Sequence, residues 1–161
     1  MTLHLVAIAG IFILAFVFNS CNDGLAPPPK NPTLSGTVHF AKHWPPADSV
    51  NILAVVLVQP NPPFADSTLI SGLNTTVLPF TLNYLSSDTT YQFSVKPGTY
   101  GYLGVAQNYN KLDLFHAWNV VAFAHNAQDS TRSFVLMPGD AITGVDLYVN
   151  FDSLPRQPFI K

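Results

Sequence analysis

A chain of 161 residues with net charge −2 and only 10% charged residues has room for one domain and carries no basic stripe, which argues against nucleic acid as a partner. All nine acidic residues are Asp, while 12 Phe and 6 Tyr join many Val, Leu and Thr, so the composition suits strands and leaves little from which to build exposed helices. One Cys excludes an intramolecular disulfide, and fourteen Pro with nine Gly predict frequent chain reversals.

Residues 5–18 form an apolar run broken only by Ala and Gly. As a helix these fourteen residues span roughly 21 Å, short of the ~30 Å hydrocarbon core of a bilayer. The run therefore fits the h-region of a signal peptide better than a membrane span. It leads into Phe18-Asn19-Ser20-Cys21, which contains the single Cys. This stretch resembles the lipobox of bacterial lipoproteins, in which a small residue precedes a Cys that is acylated and becomes the mature N-terminus. Phe18 stands where Leu is usual, and Met1-Thr2-Leu3-His4 lacks Lys or Arg. The resemblance implies a signal peptide over 1–20, lipid on Cys21 and a membrane-anchored place in the bacterial cell envelope. Several acyl chains would hold firmly, since each buried CH₂ adds roughly 0.8 kcal/mol. Residues 21–32 include Pro27, Pro28, Pro29 and Pro32, the composition of a stiff, extended tether.

From 33 to 153 the pattern is strand, turn, strand. Leu34, Gly36, Val38 and Phe40 alternate with Ser35, Thr37 and His39, a period of two. Residues 50–58 are apolar on both faces and predict a central strand with its outer side covered. The run 76–85 carries Pro79, which cannot donate to a ladder, so it belongs at a sheet edge. Tyr91, Phe93 and Val95 alternate with Thr90, Gln92 and Ser94, and runs at 100–107, 118–125, 131–137 and 145–151 follow. Seven or eight short strands with turn signals between them predict a single antiparallel Greek-key β-sandwich, with 154–161 left as a tail.

Leu34-Ser35-Gly36-Thr37-Val38 resembles the opening strand of carboxypeptidase-regulatory-like and transthyretin-like (prealbumin-like) sandwich domains. Tyr91-Gln92-Phe93-Ser94-Val95-Lys96-Pro97-Gly98-Thr99-Tyr100 is similar to their central hairpin, and Pro138-Gly139 precedes a similar final strand. Pro presets the first turn position at Pro97-Gly98, and if the turn is type II, Gly stands where φ near +80° is needed. The resemblance implies an accessory, binding or structural module rather than an enzyme.

Chemistry-bearing patterns are sparse. There is no Gly-x-Ser-x-Gly elbow and no Glu to act as a general acid, so neither catalytic activity nor a cofactor is expected. His39 and His43 lie four apart, but the strand alternation and Trp44-Pro45-Pro46 do not place them on one helix face. Asp113, His116 and His125 are the nearest approach to a metal set, and a solvated loop beside a strand-end His is the expected reading. Large rings are more informative. Trp44, Tyr109, Phe115 and Trp118, gathered at one end, would offer stacking or anchoring surface to a protein or glycan. The expected function is non-enzymatic binding of protein or glycan at the envelope. The alternative is a structural subunit of an envelope complex, which an apolar outer face on 50–58 would favour.

Overall fold

The computed structural model describes residues 28–59, 77–114, 116–124 and 133–159, and what it describes is all-β. The strands are β1 (Thr33–Phe40), β2 (Ile52–Val58), β3 (Val77–Leu82), β4 (Thr89–Ser94), β5 (Gly98–Tyr100), β6 (Tyr102–Asn108), β7 (Trp118–Phe123), β8 (Phe134–Leu136), β9 (Ala141–Ile142) and β10 (Leu147–Val149). One short 3-10 turn, Ala47–Ser49, interrupts them among the described residues. The expectations for 1–20, Cys21, Phe115 and His125 fall outside the described residues.

One four-stranded sheet has the order β10-β1-β4, with β9 also paired to β1, and a second runs β3-β2-β6-β7. A separate two-stranded ladder joins β5 to β8. Alternation explains how the two larger sheets meet. Leu34 and Val38 of β1, Tyr91 and Phe93 of β4, and Leu147 and Val149 of β10 share one buried cluster with Leu53, Val55 and Leu57 of β2 and with Leu103 and Val105 of β6. The other face of β2 buries Ala54, Val56 and Val58 in a second cluster with Tyr102, Ala106, Trp118 and Val120. An apolar strand on both faces therefore sits between β3 and β6, as its sequence predicts. β3, with Pro79 opposite Val56, is one edge of that sheet and β7 the other.

Part of the second cluster's cover comes from the C-terminal segment. Phe159 packs against it. The Gln157 side chain clamps the edge strand β7, its Oε1 accepting from the Val120 N–H at 2.7 Å and its Nε2 donating to the Val120 carbonyl at 2.9 Å. The packed domain thus reaches past 153, and 157–159 is not a loose tail. At the other boundary the Val95 N–H donates to Pro32 O and the Gly139 N–H to Lys30 O, so the chain is tied down from residue 30.

Two expectations need correction. The pairing is not wholly antiparallel: β9 and β10 both run parallel to β1, Thr33 facing Ala141 and Val38 facing Leu147. Between them 143–146 leaves the ladder, with Gly144 at φ +72°. Gly36 accommodates this detour, since a Cβ there would lie 2.0 Å from the Val145 carbonyl oxygen. Nor do 91–95 and 100–107 form a hairpin. β4 pairs with β1, β5 with β8, and β6 with β2 and β7. Gly98 has φ +157°, well away from type II geometry, because it already lies in β5. The chain changes sheets at Gly101, whose N–H donates to Gln59 O, and this splits one expected strand into β5 and β6.

Candidate functional site

Registers and ring contacts divide the domain into two ends. The start of β1 lies with Lys30, Pro32 and Gly139 at the end where 21–32 must arrive. The end of β1, the start of β2, and the ends of β3 and β6 lie at the opposite pole. There Trp44 packs against Phe40, Phe151 and Tyr84, with ring centroids 4.7, 5.0 and 5.4 Å away. The Tyr84 hydroxyl donates to Pro45 O at 2.8 Å, closing that cluster over the end of the core.

Of the four rings singled out by sequence, the three described do not form one exposed platform. Trp118 is only 5% exposed, and its indole N–H donates to Leu114 O at 2.8 Å. A buried indole needs such a partner, and the preceding loop supplies it. Trp44 is half-buried by its three aromatic neighbours. Tyr109 is exposed beyond the end of β6, and Phe115 lies outside the described residues.

What this pole does present to water is aliphatic. Leu112 is 97% exposed and Leu85 62%, with Leu114, Tyr109 and Tyr84 also exposed. They sit on two connections, 83–88 and 109–117, which leave β3 and β6 on either side of β2, about 10 Å apart at two strand spacings. The second connection is held by a dense local network. Buried Asn108 donates through Nδ2 to Asp113 O, and its Oδ1 accepts from the Asn110 N–H and from Asn51 Nδ2. Asn110 Oδ1 accepts the Leu112 N–H, and Asp113 Oδ1 accepts the His116 N–H. Leu112 is therefore the tip of an ordered loop. In the first connection Leu85 has φ +58°, a left-handed conformation costing a non-Gly residue roughly 1–2 kcal/mol.

Sequence reasoning missed Leu85, Leu112 and Leu114. The available signal was single leucines set into otherwise polar turns, Asn83-Tyr84-Leu85-Ser86-Ser87-Asp88 and Asn110-Lys111-Leu112-Asp113-Leu114, where the core does not require them.

The three described histidines each lie beside an Asp. His39 Nδ1 lies 2.7 Å from Asp88 Oδ2, and its ring stacks on Tyr148. His43 Nδ1 lies 3.0 Å from Asp152 Oδ2, and His116 Nδ1 3.2 Å from Asp113 Oδ1. No three His, Cys, Asp or Glu side chains converge as a metal set among the described residues. Asp113 instead organises its own loop.

No family model, curated protein or solved structure matches this chain. The lipoprotein and transthyretin-like resemblances therefore rest on the residues quoted for them.

On the flank of the first sheet the detour at 143–146 is pinned by side chains. The Thr37 N–H donates to Asp146 Oδ1 at 2.8 Å, replacing a ladder bond, and the Tyr91 hydroxyl donates to Val145 O. Burial pushes the Tyr91 phenol far above its ordinary range, and the Asp146 carboxylate adds to the shift.

Proposed function

We propose that the chain is a lipid-anchored, non-enzymatic binding module of a bacterial cell envelope. In this reading a transthyretin-like Greek-key β-sandwich is held at a membrane through Cys21 and engages a protein partner through the opposite pole. The observation that carries it is the exposure of Leu112 and Leu85 on ordered connections at the end away from Lys30. Large apolar side chains held in water by a structured loop stabilise nothing in the free domain, and such patches mark interaction sites. A protein partner suits them better than a glycan, because the indole rings that would stack on sugar are occupied at this pole. Packing of β2's outer face against another subunit is disfavoured, since Ala54, Val56 and Val58 are already buried.

Two measurements test the reading. Cys21→Ala should abolish acyl labelling and move the chain out of the membrane fraction. A photo-crosslinking residue at position 112 or 85 should capture one discrete protein in cells, while the same residue at exposed Met137, at the Lys30 end, should not. Labelling that persists in Cys21→Ala overturns the anchor. Equal capture from 112 and 137 overturns the binding pole.

A further inference from the structure

We propose that the flank of the first sheet carries a second binding site, for a neutral sugar unit of a glycan, in the open pocket of about 470 Å³ over the middle of β1 and β4. This site is separate from the leucine-bearing pole and does not depend on the reading given for that pole.

The lining is set by strand alternation. Leu34 and Val38 point into the core, so Ser35 and Thr37 point out. Tyr91 and Phe93 point in, so Thr90 and Gln92 point out. Register places Ser35 opposite Gln92 and Thr37 opposite Thr90. The result is a two-by-two array of short polar side chains, about 5 Å apart across the strands and about 7 Å along them. Asp146 closes one side, at the detour that Gly144 and Gly36 permit, and Phe80 also lines the pocket.

The class of ligand follows by exclusion and by match. Among the described residues no Lys or Arg lines the pocket, so there a phosphate or carboxylate would meet the like charge of Asp146. An apolar ligand would strip water from three hydroxyls and an amide without replacing their hydrogen bonds. A cation would need Asp146 as its counter-ion. That carboxylate already accepts the Thr37 N–H through one oxygen, and the other lies 3.9 Å from His39 Nε2. Ser, Thr and Gln both donate and accept, and Asp accepts. Mixed donors and acceptors on a small grid complement the alternating hydroxyls of a sugar ring. The volume lies within the range of ligand sites and admits a disaccharide.

The test is a ¹H–¹⁵N titration of the full-length chain in phosphocholine bicelles with maltose, cellobiose and N,N′-diacetylchitobiose, and separately with tetramethylammonium chloride. At least one disaccharide should give saturable shifts confined to the amides of 35–37, 90–92 and 144–146. Gln92→Ala and Thr90→Val, both at exposed positions, should each weaken that binding about threefold to tenfold while leaving the rest of the spectrum in place. The proposal is overturned by no saturable response to any of the disaccharides, by binding unchanged in both variants, or by a response to tetramethylammonium alone.

Discussion

Replacing Gly36 with Ala should be among the most damaging single-methyl additions the domain can receive. Within a strand such a change ordinarily stabilises by roughly 0.5–1 kcal/mol, because Gly loses more freedom on folding. Here the new Cβ would stand 2.0 Å from the Val145 carbonyl oxygen and 2.5 Å from its carbonyl carbon, both backbone atoms. A tolerable carbon–oxygen contact is about 3.3 Å, so 143–146 must retreat by more than 1 Å, roughly. Three hydrogen bonds depend on its place: Val145 N–H to Ser35 O at 3.1 Å, Thr37 N–H to Asp146 Oδ1 at 2.8 Å, and the Tyr91 hydroxyl to Val145 O. Leaving the buried Tyr91 hydroxyl unpaired costs about 1–3 kcal/mol and each of the others about 1 kcal/mol. Set against the gain in the unfolded state, the net loss is about 2–4 kcal/mol. Urea unfolding followed by tryptophan fluorescence should show a midpoint lowered by about 1–3 M at unchanged slope. Gly144→Ala is the control, since its φ of +72° imposes strain while nothing lies within 4 Å of the added Cβ. If Gly36→Ala proves as stable as the parent, the packing of 143–146 onto β1 is wrong.

Because Tyr91 is held protonated in the folded state above the usual tyrosine range, its contribution is complete below about pH 10 and is lost as pH rises further. Stability should fall between about pH 10 and 11.5, and more shallowly in Tyr91→Phe; parallel curves would contradict the assignment. Leu85→Gly should raise stability by about 0.5–1 kcal/mol, by relieving the left-handed backbone, while lowering partner capture at that pole. A clear loss of stability would mean instead that the Leu85 side chain packs. Gln157→Ala should cost about 1–2 kcal/mol and speed hydrogen exchange at the Val120 amide, and unchanged exchange there would remove the clamp from the account.

Strand character and burial were legible where they are properties of the segment itself. Two-sided apolarity placed β2 at the centre of its sheet, and Pro79 placed β3 at the edge, because both signals concern what one strand can bury or donate. Pairing was less legible, because a partner is chosen by the whole chain. Thr90 to Gln107 looks like a Pro-Gly hairpin, yet its two halves join different sheets through contacts with residues far away, at Ser35 and at Val55. The candidate surface failed in a related way. Trp118 found a local carbonyl at Leu114, which let it go inside, while Leu112 stayed outside. A lone leucine in a polar turn has no periodicity to betray it. The wet faces of β1 and β4 were readable, but their joining into one pocket depends on register.

The parallel pairing of β1 with β9 and β10 has a consequence for the order of events in synthesis. The first strand of the domain finds neighbours more than a hundred positions later, Ala141 and Leu147 beside Thr33 and Val38. Such closure is slow, because the entropy of a long loop is spent before any contact rewards it. A chain emerging from its N-terminus thus holds β1 with one flank open until residues 141–149 have been made. A copy truncated before 141 would keep that open flank permanently, and its bare strand edge is where self-association would begin.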